Sequence, residues 1–248
     1  MPQIQTYGPE PVGYCSRNPD IPVLFEDDQL LVIRKPAGIL SQEDHSGDPD
    51  LLSLCKAWRK AKENKTGEVF IGLVHRLDRP VSGIMVLART SGAAASLSEQ
   101  IRQQTVRKEY LLICIGKTPP NAYLSDFLVK DQKQNRSRVV SETTPASKRA
   151  ELHYTRLGYD PDTNLSLLRA TLMTGRTHQI RVQLSASGYP LRGDQKYGGG
   201  KNGEGPALFA FGFRFRHPVD SRPVRFIALP PDAFPWTLFS SSLLSVFN

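Results

Sequence analysis

The apolar residues of this chain fall in short runs of strand length that arrive in adjacent pairs. "VLFEDDQLLVIRKPAGIL" is two such runs split by Glu26, Asp27 and Asp28, with Pro36 and Gly38 closing the second. Apolar runs parted by a short polar turn predict a hairpin. "VRKEYLLICIG", "LSLLRATLMTG", "ALFAFGFRFRHP" and "RPVRFIALP" read as further strands. Helical spacing is confined to a few segments. Residues 51–62 put Leu51, Leu54, Cys55 and Trp58 on one face. "TSGAAASLSEQIRQQ" has Thr90 or Ser91 as its N-cap and an apolar stripe of Ala94, Leu97 and Ile101. "RTHQIRVQLSASG" spaces Ile180 and Leu184 one turn apart and ends at Gly188. Paired strands without regular βαβα alternation predict an α+β class, a mostly antiparallel mixed sheet flanked by helices and loops. Residues 1–20, rich in Pro and Gly, read as an N-terminal arm or extended edge. Residues 21–248 show no internal boundary.

The 248 residues suffice for one large domain or two small ones. Lys and Arg number 32 against 24 Asp and Glu, a formal charge of +8. That balance favours a polyanionic partner, nucleic acid before an anionic membrane surface. Cys15, Cys55 and Cys114 are widely spaced and odd in number, which argues against a disulfide framework or a structural zinc site. A reducing compartment follows, the cytoplasm or an organelle. No stretch nears the roughly 20 apolar residues of a membrane span. The first twenty residues lack an apolar core and carry one basic residue, Arg17, so no secretory signal or transit peptide is expected.

"GLVHRLDRPVSGIMVLART", residues 72–90, sets His75, Arg76, Asp78 and Arg79 inside an otherwise apolar segment. Asp78 has two readings. It caps a turn or pairs with an arginine, or it serves as nucleophile or general base. The second requires it to stay ionised in a partly dry site, with an opposite charge or donors nearby. "GRTHQIR" offers such groups: Gly175, Arg176, Thr177, His178 and Arg181 stand at a strand-to-helix junction, where a helix N-terminus favours anions. Arg176 or Arg181 could reach a phosphate or carboxylate there, or both could be solvated at a plainly capped helix start. His75 and His178 lack a third ligand at a recognisable spacing, so structural hydrogen bonding is the simpler reading and no metal is expected. Tyr110 is a core or edge aromatic unless its strand brings it beside Asp78. Residues 130–149 carry Lys130, Lys133, Arg136, Arg138, Lys148 and Arg149, either a solvated hairpin or loop or an arm that faces RNA. "GDQKYGG" (193–199) reads as a structured loop around Asp194 and Tyr197, and "GGGKNGEG" (198–205) as a flexible one. With no GxGxxG, Walker or GxSxG pattern, neither a nucleotide cofactor nor serine hydrolysis has support.

Taken together and in order, "FEDDQLLVIRKPAGIL", "HRLDRPVSGIMVLART", "KEYLLICIG", "GRTHQIRVQL", "GDQKYGG" and "RFRHP" resemble the motif series of the RluA family of pseudouridine synthases, over residues 21 to about 230. The resemblance implies a pseudouridine-synthase-like fold and a stand-alone catalytic domain over 21–248, without a preceding S4 domain. It implies isomerisation of uridine to pseudouridine in rRNA or tRNA by a monomer, with no metal or cofactor. By position it makes Asp78 the catalytic aspartate, Tyr110 the ring that stacks on the target base, and Arg181 the partner of the aspartate. Arg76 would fill the space left by the flipped nucleotide and Ile180 would line the pocket. His75, Arg176, Thr177 and His178 would stand on the substrate side. An arginine beside Asp78 would keep it ionised where a flipped uracil must stack. Two positions depart from the family pattern: Val81 stands for the usual Thr before SG, and Gln183 for a common His. A second hypothesis uses the same cleft for RNA binding or ribosome assembly without turnover. A carboxylate glycosidase would need a paired acid that the sequence does not nominate. If the +8 charge serves phosphate contacts, RNA affinity measured by fluorescence anisotropy will fall steeply between 50 and 200 mM salt, roughly linearly on a log–log plot.

Overall fold

The polar turn at 26–28 forms around Asp27, whose Oδ1 accepts hydrogen bonds from the backbone N–H groups of Gln29 (2.8 Å) and Leu30 (2.7 Å). A carboxylate bonded to the backbone two and three residues on closes the chain locally, as Asp does in tight turns. The computed structural model describes residues 4–8, 11–17, 20–200 and 204–247. In chain order these form β1 (Gln5–Tyr7), β2 (Gly13–Arg17), β3 (Asp20–Glu26), β4 (Leu30–Lys35), α1 (Leu51–Lys62), β5 (Gly72–Leu73), β6 (Ser82–Ala88) and α2 (Ser91–Arg102). Then come β7 (Arg107–Ile115), β8 (Asn121–Asp131), β9 (Arg136–Val140), β10 (Lys148–Asp160), β11 (Leu165–Leu172) and α3 (Gln179–Ala186). Last are a 3-10 turn (Gln195–Tyr197), β12 (Leu208–Arg216), β13 (Pro223–Ile227), a second 3-10 turn (Trp236–Phe239) and α4 (Ser240–Phe247).

The chain divides into two compact units, Met1–Arg107 with Ala210–Leu229, and Lys108–Phe209 with Pro230–Asn248. Each unit is built from two separate stretches, so no linker composition marks the division in the sequence. Among the described parts of residues 1–20, β1 pairs in parallel with β13 and β2 antiparallel with β3. Residues 201–203 of the glycine-rich stretch lie outside the described residues.

In the first unit the strands run β2-β3-β4-β6-β12, with β13 next to β12, β1 next to β13 and β5 paired to β6. β4 and β6 are antiparallel, from Leu30 opposite Ala88 to Lys35 opposite Gly83. Both are almost wholly buried, which is why they read as continuous apolar runs. Phe213 and Phe215, two apart on β12, share a face, and the Phe215 ring stacks on Phe226 at 5.9 Å. Phe226 in turn stacks on Tyr7 at 4.7 Å, tying β1 down with aromatic area. α1 covers the residues its stripe predicts, and α2 starts at its predicted cap, Thr90. Asp50 accepts from the Ser53 N–H and Thr90 Oγ1 from the Ala93 N–H, both at 3.1 Å.

The second unit is an antiparallel sheet in the order β7-β11-β10-β8-β9. The basic stretch 130–149 spans the end of β8, all of β9 and the start of β10, with β9 at the edge. α3 follows β11 across the GRTHQIR turn, at the strand-to-helix junction the sequence marked. The strands are mostly antiparallel and the helices few, so the fold is α+β. The C-terminal helix α4 has no strong sequence signal; eight residues make a marginal helix on their own, and packing has to complete it.

Gly83 shows how tightly the first unit is built. Its φ is +126°, and an added Cβ would lie 2.3 Å from the carbonyl oxygen of Ala210. Gly83→Ala therefore combines backbone strain with a clash against a strand that cannot yield, and should destabilise by about 3 kcal/mol or more. Chemical denaturation followed by circular dichroism checks this; a midpoint unchanged from wild type would contradict the close approach.

Candidate active site

Asp78 stands on the connection between β5 and β6, half-buried, in a turn closed by the Val81 N–H bonding its carbonyl at 2.9 Å. That turn is clamped from one side by residues 35–41. Ser41 Oγ donates to the Leu77 carbonyl (2.7 Å) and accepts from the Leu77 N–H (3.2 Å). The Gly38 N–H donates to the Arg79 carbonyl (2.8 Å), and Arg79 Nε donates back to the Gly38 carbonyl (2.9 Å). Lys35, with 0% of its surface exposed, donates from Nζ to the carbonyls of Pro36 (2.9 Å), Arg79 (3.2 Å) and Val81 (3.0 Å). Backbone groups at 77, 79 and 81 are thus all held, and the carboxylate between them is presented on a fixed turn. Burial pushes the Lys35 ammonium from 10.5 down to about 8; the nearby Asp78 charge opposes the fall and Arg79 adds to it.

The neighbours of Asp78 sort by exposure. Arg76 and Arg79 are exposed, and Arg79 also pairs with Asp48 at 2.7 Å. Leu77 is buried and anchors the turn. His75 is built into the fold: its Nε2 accepts from the Val86 N–H at 3.0 Å, and its ring stacks on Phe213 at 4.5 Å. This is the structural hydrogen bonding that its isolation in sequence suggested, and it makes His75 a support of the turn. Val81 is buried, and its carbonyl rather than a side-chain hydroxyl takes part in the clamp.

In the second unit Tyr110 lies on β7, buried, opposite Ala170 of β11. The GRTHQIR turn is pinned by its own Gln179, the motif residue to which the sequence reading gave no role. Its Oε1 accepts from Thr174 Oγ1 (2.8 Å) and from the Arg176 N–H (3.0 Å), and its Nε2 donates to the Glu151 carbonyl (3.0 Å). Arg176 is exposed and donates from Nε to the Arg149 carbonyl at 2.9 Å. The Thr177 carbonyl accepts from Ser137 Oγ of β9 at 2.7 Å. His178 precedes α3 in a left-handed conformation (φ 55°), buried, with Nδ1 2.9 Å from the Tyr197 hydroxyl. It makes no side-chain cap, so the helix start is not the plainly capped one that was the alternative for this segment. Ile180 is buried in the first turn of α3. Arg181 donates from Nε and Nη2 to both oxygens of Asp194, at 2.7 and 2.8 Å. Gln183 is buried too, donating to Asp126 (2.7 Å) and to the Ala150 carbonyl (3.1 Å), so at this position it braces β8 and β10. Among the described residues no group of three or more His, Cys, Asp or Glu side chains gathers as metal ligands would.

A sequence model of the RNA pseudouridylate synthase family matches residues 29–186, which hold Lys35, Asp78, Tyr110 and Arg181. The chain is 35% identical over 182 residues to a Bacillus subtilis protein named as an uncharacterized RNA pseudouridine synthase, covering 73% of this chain and 59% of that one. It is 34% identical over 217 residues to ribosomal large subunit pseudouridine synthase C of Haemophilus influenzae, covering 83% and 64%. It therefore spans about 60% of the length of these relatives. The fold is similar to that of human RNA pseudouridylate synthase domain containing 4, with a TM-score of 0.71, 21% identity, and coverage of 91% of this chain and 92% of that one. The chain belongs to the RNA pseudouridylate synthase family and, within it, to the RluA type.

The buried ammonium has a measurable signature. Lys35 loses its proton near pH 8 in the folded chain and near 10.5 in the unfolded one, so between these values the unfolded chain binds more protons. Stability then rises with pH across that window, and this contribution is lost as pH falls through 8. Compared with Lys35→Met, wild type should gain on the order of 1–2 kcal/mol between pH 7.5 and 9.5 in paired denaturation curves. A difference that does not move with pH would place the ammonium in water.

Proposed function

We propose that this protein isomerises uridine to pseudouridine in RNA, with ribosomal RNA the first candidate because relatives are named for the ribosomal large subunit. The observation that carries the proposal is the turn at 77–81: a half-buried carboxylate on a backbone clamped by Lys35, Gly38 and Ser41, with the exposed cations Arg76 and Arg79 on either side. A preoriented carboxylate beside groups that attract phosphate suits a reaction on a nucleotide taken out of its stack.

In the reaction the N1–C1′ bond breaks, the base turns, and C5 bonds to C1′. C5 gives up its proton, N1 gains one, and no oxidant or leaving group is involved. Asp78 is the reacting carboxylate and Arg181 its counter-charge. Tyr110 supplies the ring on which the uracil stacks. Arg76 occupies the place the flipped nucleotide leaves, and Ile180 lines the pocket. Arg176 meets the RNA backbone, while Thr177 and His178 shape the turn that carries it. The basic hairpin of β8 and β9 adds phosphate contacts through Arg136 and Arg138. On this reading the enzyme works as a monomer in the cytoplasm, without metal or nucleotide cofactor.

RNA labelled with tritium at uridine C5 tests the assignment, because C5 gives up its hydrogen when it bonds to C1′. Wild type should release tritium from ribosomal or transfer RNA. Asp78→Asn should release none while its RNA affinity stays within about threefold, the pattern of a group that acts in the transition state alone. Binding by wild type without any release on either RNA would instead mark a protein that holds RNA without modifying it.

A further inference from the structure

The GDQKYGG stretch reads in sequence as a loop with turn glycines. In the structure it does more than turn. Asp194 has 0% of its surface exposed and directs both carboxylate oxygens at one guanidinium, that of Arg181, which is itself 4% exposed. The Arg181 guanidinium also lies over the ring of Tyr197, 5.2 Å from its centroid. We propose that Asp194 and Tyr197 are positioning residues that hold the guanidinium of Arg181 in one orientation for the isomerisation. The inference rests on the assignment of Arg181 to that reaction.

An arginine side chain has four rotatable bonds, and its charge helps a reaction only where it is held. The bidentate contact fixes the plane of the guanidinium. The aromatic face below it restricts rotation out of that plane. Both supports are themselves anchored. The Asp194 carbonyl accepts from the N–H groups of Tyr197 (3.2 Å) and Gly199 (2.8 Å). The Tyr197 hydroxyl accepts from the Ser137 N–H (2.8 Å) and meets His178 Nδ1 (2.9 Å). The loop backbone is packed against its neighbours: a Cβ on Gly199 would come within 1.6 Å of the Leu191 carbonyl oxygen, so the sequence needs glycine there.

A buried ion pair is a poor device for stability alone, because well-packed apolar residues serve as well and avoid the desolvation of two charges. What such a pair supplies and an apolar pair cannot is a defined direction for the cation. The same ring also has the guanidinium of Arg136 at 5.1 Å, and β9 bonds it through Ser137. The edge hairpin and the loop therefore share one anchor, and that anchor is the tyrosine under Arg181.

A double-mutant cycle on tritium release separates positioning from bulk support. The variants are Asp194→Asn, Arg181→Lys and the two combined, with folding at the assay temperature checked by circular dichroism. Asp194→Asn should lower kcat roughly ten- to a hundredfold, as a misplacement of about 1 Å does. The RNA concentration for half-maximal rate should stay within about threefold. If Asp194 acts through Arg181, the combined variant will be close to the slower single variant. If the two losses multiply, or Asp194→Asn keeps full kcat while Arg181→Lys is impaired, the positioning role is overturned and the assignment of Arg181 stands. Full activity of Arg181→Lys, or no release by wild type, overturns that assignment and this inference with it. Should Asp194→Asn not fold, Tyr197 decides. Tyr197→Leu should lower kcat further than Tyr197→Phe, which keeps the ring and loses the hydroxyl, and neither should change half-saturation; equal kcat in the two overturns the role.

Discussion

Burying a lysine ammonium opposes folding, and the turn that carries Asp78 is organised around one. Lys35 ends β4 with no exposed surface, and the fold answers its charge with three backbone carbonyls and the field of Asp78. Other features of the first unit depend on that arrangement. β4 must stop there, and Pro36 comes next, a residue with no N–H to satisfy. β6 faces Lys35 with Gly83, where the Ala210 backbone lies so close that a side chain would not fit. The chain then has little freedom between 77 and 81, and a short turn in a connection becomes a rigid mount for a carboxylate.

The second unit solves a similar problem with opposite charges. Arg181 is nearly inaccessible, and a lone guanidinium in that position would be strongly destabilising. Asp194 supplies the counter-charge and Tyr197 a flat face, while Gln179 ties the turn before the helix to β10 through the Glu151 carbonyl. Charge in this molecule is thus held inside by short, well-directed contacts. The net excess of +8 is spread over exposed groups such as Arg76, Arg136 and Arg138. Those exposed groups suit a polyanion without competing with the buried pairs.

What the sequence made legible is local. The β3–β4 hairpin is marked by three acids between apolar runs, α1 and α2 by their stripes and α2 also by Thr90, and the strand-to-helix junction by the segment from Gly175 to Arg181. Each signal is contained in fewer than about fifteen residues, the range over which periodicity and capping act. Lys35 was hidden for the opposite reason. A lysine at a strand end before a proline looks solvated, and the carbonyls at 79 and 81 that hold it stand more than forty positions away. Asp194 and Tyr197 looked like loop residues because nothing near them announces a buried arginine. β1 and α4 were missed because a three-residue strand and an eight-residue helix owe their existence to the surfaces they pack on.

The sequence by itself determined the class of fold, the β3–β4 hairpin, the helices α1, α2 and α3, and the set of charged residues within apolar surroundings, because each depends on neighbours along the chain. Tertiary structure alone decided which of those charges are buried, that Gln183 braces the fold, that Lys35 clamps the Asp78 turn and that Arg181 leans on Asp194. The reason is physical. Desolvation and hydrogen-bond geometry are set by groups brought together in space, and only the folded chain specifies which groups those are.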